Sequence, residues 1–271
     1  MLGSTHQRVR RLRRLIQKRS LRRTEGVCVI EGPDLVEAAL DAHVEIEAVY
    51  VDADSLDLAR VEALSTRATR QGVRVFSLAS GVLGKLADTQ TPQPVLASVR
   101  IPLSELDQIP RDGLVLVLHE VRDPGNAGTI VRSADAAGAA AVIFTGTSVD
   151  PFNAKTLRAT AGSIFHLPVV VADFDVVLEH FANLGVQTLA TVVRDGTSHR
   201  EVDFTRPAVV VIGNEAEGLG ASEVARCDRS ITISMTGHSE SLNAGVAASL
   251  IAFEAMWQRQ DIQSIAPSPS L

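Results

Sequence analysis

The sequence predicts an α/β protein of two domains, the second built on a parallel sheet. Three observations predict it. Short apolar runs alternate along the chain with segments of helical period, the pattern of strands interleaved with helices. The runs 114–118 (LVLVL) and 208–212 (AVVVI) are apolar at every position, as strands covered on both faces of a parallel sheet are. Residues 101–113 carry two prolines and a glycine and read as a linker between two such patterns. At 271 residues and 45% hydrophobic content, with only 4% aromatic, each domain can bury a core made largely of Val, Ala, Leu and Ile.

Charge and cysteine content narrow the function. The net charge is −6, yet residues 1–24 hold nine Lys or Arg and no Asp or Glu. The remainder therefore sets 17 of the 26 basic residues against all 32 acidic ones. A basic arm on an acidic body suits one face meeting phosphate while the rest stays in solution. Arg8, Arg10, Arg11, Arg13, Arg14, Arg22 and Arg23 are the candidate RNA contacts. No apolar run approaches the roughly 18 residues of a membrane span, and the N-terminus lacks the apolar stretch of a signal peptide. A cytoplasmic protein without a membrane partner is expected. Cys28 and Cys227 are too few and too far apart for a disulfide framework or a zinc site, so no metal is expected.

In chain order, residues 5–19 form an amphipathic helix with Val9, Leu12, Leu15 and Ile16 on one side and arginines on the flanks. A basic helical arm thus spans residues 1–25. Residues 26–100 form a small α/β domain: strands at 27–30, 48–51, 73–76 and 95–99, with helices at 33–40, 56–70 and 77–86. Pro33 stands at a first-turn position that tolerates it. Glu31 and Asp34 read as turn and first-turn acids rather than a catalytic pair.

The second domain covers residues 114–260. Strand 114–118 is followed by the loop 123–129 (DPGNAGT) and a helix through Arg132 and Ala136. After strand 141–144, a polar loop and short helix span 150–162, where Lys155 and Arg158 share a helix face as phosphate contacts or a solvated edge. Strands 169–171 and 186–191 flank helix 174–184. Strand 208–212 ends in 213–220 (GNEAEGLG), whose glycines suit close approach of a ligand to backbone. Ile231 and Ile233 mark the last buried strand. From Ser241 a helix carries Leu242, Val246, Leu250 and Phe253 on one face. The tail 261–271 is expected to be disordered.

Three apolar strands thus end in three loops, each with an asparagine: Asn126, Asn214 and Asn243. Ligands of open α/β sheets bind at the carboxyl ends of strands, so one site built from all three loops is inferred. Neither G-x-G-x-x-G nor Walker spacing occurs, which disfavours a dinucleotide or P-loop reading.

The arrangement resembles the SpoU/TrmH branch of the SPOUT RNA methyltransferases. Its first motif, Asn-x-Gly with an Arg in the following helix, matches Asn126-Ala-Gly128 and Arg132. Its second matches 213–219 (GNEAEGL), and its third matches Ile233-Ser-Met235 with Ser241-Leu-Asn243. Ser234 stands where the family usually has Pro, a departure that bears on loop rigidity. Residues 26–100 resemble, more loosely, the substrate-binding domain related to a ribosomal RNA-binding protein.

The resemblance implies a C-terminal trefoil-knotted SPOUT domain that dimerises, S-adenosylmethionine as cofactor, and methyl transfer to a ribose 2′-hydroxyl of RNA. 23S ribosomal RNA is the first expectation, with a tRNA enzyme or a catalytically silent RNA-binding homologue as alternatives. It further implies that Arg132, Asn126, Glu215, Ser241 and Asn243 serve catalysis. Thr191, Gly213, Asn214, Gly218, Ile233, Met235, Leu242 and Asn243 would hold the cofactor. Arg132 would act either as base or as stabiliser of the emerging alkoxide.

Overall fold

The computed structural model describes residues 1–87 and 91–265, with side chains as far as Asp261. The chain forms two compact units, residues 1–102 with 150–166, and residues 103–149 with those from Leu167 onward.

The first unit opens with α1 (Gln7–Gln17) and α2 (Arg19–Glu25), then β1 (Val27–Glu31), α3 (Pro33–Asp41), β2 (Ile46–Asp52), α4 (Ala59–Arg70), β3 (Arg74–Leu78) and β4 (Val95–Arg100). The four strands form one sheet in the order β1-β4-β2-β3. β4 is antiparallel to both β1 and β2, while β2 and β3 run parallel. α1 is part of this unit's core. Its Val9, Leu12 and Leu15 are fully covered and cluster with Val27, Val29, Ala48 and Tyr50 of the sheet. Each such side chain contributes roughly 1.5–3 kcal/mol through burial, so the basic segment expected as an arm is held as firmly as a core helix. α2, which the sequence pattern did not separate from α1, ends where Gly26 takes the left-handed conformation at φ 63°. The helix expected at 77–86 is only a single 3-10 turn, Leu83–Lys85.

The second unit begins earlier than the expected linker would allow. Leu103 bridges to Val169, the Ser104 amide donates to the Val169 carbonyl at 2.9 Å, and Ile109 enters the core. Then come β5 (Leu114–His119), α5 (Pro124–Ala136) and β6 (Ala141–Thr145). Residues 150–166, with α6 (Ala154–Thr160), belong to the first unit, tied there by two ion pairs described below. The second unit resumes with β7 (Val169–Val171), α7 (Phe174–Asn183), β8 (Gln187–Thr191), β9 (Thr197–Ser198), β10 (Ala208–Ile212), α8 (Ala221–Ala225), β11 (Arg229–Thr232) and α9 (Ala244–Ile265). β9 and α8 are too short for the sequence pattern to have flagged.

All seven strands are parallel, ordered β7-β6-β5-β10-β8-β11-β9. The all-apolar runs of β5 and β10 lie side by side in the middle, as two-sided burial requires. Val115, Val117, Ile143, Val209 and Val211 face Phe174, Val177 and Phe181 of α7. α5 and α9 pack on each other, joined by a 2.6 Å hydrogen bond between the Ser133 and Ser249 hydroxyls. The disorder expected from residue 261 does not begin there, since α9 runs to Ile265; residues 266–271 lie outside the described residues.

Candidate active site

The stretch expected as a loop after β5 is largely helix. Asp123 caps α5, its Oδ1 accepting from the Asn126 amide at 2.8 Å, and Pro124 fills the first helical position. Asn126 therefore sits in the first turn of α5, with its side chain free to reach sideways. It reaches Glu215: Asn126 Nδ2 donates to Glu215 Oε1 at 3.0 Å. The Glu215 carboxylate also accepts the backbone amides of Arg122 (3.1 Å) and Asp123 (3.0 Å). Partial burial by itself would raise the Glu215 pKa, but the Asn126 hydrogen bond and those two amides outweigh it and hold the carboxyl below its ordinary value.

The loop after β10 is a closed ring. Asn214 and Gly218 exchange backbone hydrogen bonds at 3.1 and 2.9 Å, and Asn214 Oδ1 accepts from the Ala216 amide at 2.9 Å. Asn214 Nδ2 donates across to the Glu120 carbonyl at 2.9 Å. Gly213 is required by space, because a Cβ there would lie 2.6 Å from the Leu219 amide nitrogen and against the Gly218 backbone. Gly218 closes the ring at φ 69°.

The third loop joins through Asn243. Its Oδ1 accepts from the Val246 amide at 3.2 Å, capping α9, while its Nδ2 donates to Asn126 Oδ1 at 2.7 Å. Val246 amide, Asn243, Asn126 and Glu215 thus form a chain of donors and acceptors that runs one way and ends on a carboxylate. Such a chain fixes the orientation of both amides.

Beside it, at the carboxyl ends of β8, β10 and β11, lies a pocket of about 300 Å³. Thr191, Gly213, Asn214, Glu215, Gly218, Ile233, Met235, Ser241 and Leu242, all expected site residues, line it. Asn126, Arg132 and Asn243 do not. Asn126 and Asn243 buttress the pocket through Glu215, and Arg132 projects from the exposed face of α5 with no hydrogen bond or ion pair among the described residues.

Residues 113–253 match the model of the SpoU rRNA methylase family, and residues 6–97 match an MRM3-like substrate binding domain. The chain belongs to the SpoU rRNA methylase family. It is 30% identical over 251 residues to 23S rRNA (guanosine(2553)-2′-O)-methyltransferase RlmP of Bacillus subtilis, covering 93% of this chain and 96% of that one. It is 31% identical to the 23S rRNA (uridine(2479)-2′-O)-methyltransferase of Streptomyces viridochromogenes, covering 95% of this chain and 92% of that one. Among solved structures, the SpoU methyltransferase AviRb of that organism, in complex with AdoMet, superposes with a TM-score of 0.83 at 29% identity, covering 94% of this chain and all of that one.

Within this family member, the expected RNA-contact residues divide. Arg22 is not available at the surface. It is 4% exposed, donates to the Leu15 and Ile16 carbonyls at 2.6 and 2.9 Å, and forms an ion pair with Asp150 at 2.6 Å. Arg158 pairs at 3.0 Å with the buried carboxylate of Glu31, so it does not share an open face with Lys155. Arg11 is held between Glu25 and Glu47, each at 2.7 Å. Arg8 lies over the Phe76 ring, 4.6 Å from its centroid. Those four hold the first unit together. Arg10, Arg14, Arg23 and Lys155 are exposed and Arg13 is half-exposed, with no ion-pair partner among the described residues. Cys28 is sealed in the core, where burial pushes its thiol up to about 12 and leaves it unreactive.

Sequence reasoning missed Asp123 and the Glu120 carbonyl. Asp-Pro three residues before Asn126 was a legible helix-start signal. The Glu120 contact joins residues 94 positions apart, which no local pattern reveals.

Proposed function

We propose that this protein transfers a methyl group from S-adenosylmethionine to a ribose 2′-hydroxyl of 23S ribosomal RNA. The observation that carries the reading is the one-way hydrogen-bond chain ending on Glu215 at the wall of the 300 Å³ pocket. The two related enzymes named above differ in target base and share the ribose 2′-oxygen and the 23S RNA. What they share is what is carried over here.

The residues fit the cofactor. The pocket volume is at the low end for small-molecule sites. Its walls combine apolar side chains (Ile212, Leu219, Ile233, Ile251) with loop backbone, suited to an adenosine. Its charged lining residues are Glu215 and Glu217, with no Lys or Arg, which suits a ligand carrying a sulfonium and an ammonium. When bound, S-adenosylmethionine supplies an already activated methyl group. The protein's task is then alignment. Glu215, held by Asn126 and two backbone amides, keeps the mouths of the β5 and β10 loops at fixed separation. Arg132 offers guanidinium donors with no carboxylate to compete for them. We assign it the hydroxyl and the adjoining phosphate, where it stabilises the emerging alkoxide while the hydroxyl proton passes to solvent water, since a guanidinium is a donor group and not a base.

The homodimer is supported by α9. Val246, Leu250 and Trp257 are 46%, 41% and 54% exposed at helical spacing, forming an uncovered apolar stripe beside the site. Leu250→Glu is expected to convert dimer to monomer in light scattering after gel filtration; an unchanged mass would move the interface elsewhere. A knotted path is supported by the strand order, in which β10 enters between β5 and β8 after both are laid down. No helix among the described residues is long and apolar enough to cross a membrane; it is the ribosomal RNA target proposed here that puts the site of action in the cytoplasm.

The decisive experiment is mapping of 2′-O-methylation on 23S RNA from cells with and without the protein, paired with calorimetry of S-adenosylmethionine. Loss of no 2′-O-methyl mark, with no heat of binding, would refute the reading. Asn126→Asp is a sharp control: it cannot donate to Glu215 and sets a second carboxylate against it. We expect cofactor affinity to fall at least 10-fold while the thermal midpoint of the first unit is unchanged.

The exposed cations are expected to act on RNA affinity alone. Arg10, Arg13 and Arg14 changed together to Gln should lower the slope of log affinity against log salt by about 2, at roughly 0.7 per phosphate contact. Cofactor affinity should not change. An unaltered slope would place the RNA on another face.

A further inference from the structure

Four non-glycine residues among the described residues have left-handed backbone, and of these Glu120, at φ 58°, lies in the turn that leads into the active-site helix. That conformation is disfavoured for a residue with a Cβ. Its side chain gives little in return: it is 35% exposed, and its one ion pair, to the 64% exposed Arg122, is 3.5 Å long. Its backbone is used fully. The left-handed turn directs the Glu120 carbonyl to Asn214 Nδ2 at 2.9 Å, the contact by which the β10 loop is fastened to the β5 turn. Two residues later the same turn presents the amides of Arg122 and Asp123 to Glu215. Asn214 in turn organises its own loop, accepting the Ala216 and Glu217 amides. The bonds therefore run both ways between the two turns, and they need Glu120 at positive φ to be made together.

We propose that Glu120 is a positioning residue for methyl transfer, acting through its backbone conformation and carbonyl on Asn214, with its carboxylate dispensable. The inference rests on the methyltransferase reading above and deepens it by naming what sets the spacing between two of the three cofactor loops.

The proposal separates backbone from side chain. Glu120→Gly keeps the carbonyl and relaxes the left-handed turn, so cofactor affinity and turnover should stay within twofold of the parent, with an equal or higher thermal midpoint. Glu120→Val keeps a side chain but resists positive φ, which should swing the carbonyl off Asn214. Its cofactor dissociation constant should rise about 10-fold or more in protein shown folded by circular dichroism. Asn214→Ala deletes the other partner, and Glu120→Val should cost less cofactor affinity in that background than in the parent.

A Gly variant that loses affinity would show that the carboxylate matters and overturn the proposal. So would a folded Val variant of parental affinity, or additive losses in the double variant. If Glu120→Val fails to fold, the Gly variant and Asn214→Ala still decide, because a folded Asn214→Ala protein of parental cofactor affinity would overturn the proposal. Failure of the parent protein itself to bind S-adenosylmethionine would instead reject the methyltransferase reading, so the two failures are distinct.

Discussion

Arg132→Ala is expected to lower methyl transfer by about 100-fold or more, the scale seen when one donor to a developing oxyanion is removed, while the protein still folds and binds S-adenosylmethionine. The structure supports each half of that expectation. Arg132 lies on the exposed face of α5 and makes no hydrogen bond or ion pair among the described residues, so truncation leaves no partner stranded. The helix is anchored by Ile130, Val131 and Ala134 on its buried side. The pocket is lined by other residues, so cofactor affinity should not change with Arg132. Arg132→Lys then separates charge from shape. A lysine restores the positive charge without the planar fork. Substantial activity in Lys with none in Ala would assign simple electrostatic stabilisation; inactivity in both would require two-point contact with the ribose oxygen and phosphate. Single-turnover rates with saturating cofactor are the measurement, and full activity in Ala would remove Arg132 from the mechanism.

Arg22→Ala should have the opposite signature, a large loss of stability with no direct effect on chemistry. Removing this guanidinium strands the Asp150 carboxylate, 13% exposed, together with the Leu15 and Ile16 carbonyls. Breaking a buried pair by deleting one partner costs about 3–5 kcal/mol, a large share of the stability of a small domain. Urea unfolding followed by circular dichroism would show it, with the first unit unfolding earlier. In the fraction still folded, the salt dependence of RNA binding should match the parent. A stable Arg22→Ala protein with a flattened salt slope would restore Arg22 to the RNA-binding surface. Arg10→Ala provides the contrast, since that side chain is exposed and has no ion-pair partner among the described residues.

What the sequence by itself determined about this protein is its local chemistry. The all-apolar runs of β5 and β10 could only be interior parallel strands, and they are adjacent in the sheet. Asn-x-Gly, Gly-Asn-Glu and Ser-Leu-Asn sat after apolar strands, so a site at the strand ends followed, and of the expected cofactor residues all but Asn243 line one pocket. The glycines of 213–220 were read as allowing a ligand close to backbone; at Gly213 it is the chain's own Gly218 backbone that comes close. These signals are local: a period, a cap, a turn.

Tertiary structure alone decided which charges are spent within the fold and which remain for a ligand. Nine basic residues in the first 24 looked alike in sequence, yet Arg22 neutralises Asp150, 128 positions away, and Arg158 neutralises Glu31 across 127. The free energy of a buried charge depends on what surrounds it in space, and partners that distant leave no periodicity to read. For the same reason residues 150–166, which follow β6 in the chain, fold with the first unit. The apolar face of α9 shows the other limit. Sequence placed Leu242, Val246, Leu250 and Phe253 on one side of a helix, but burial went to Ala248, Ile251, Ala252 and Ala255. Close packing of α9 against α5 demands small residues, which carry a weak hydrophobic signal, and the larger ones were left outward.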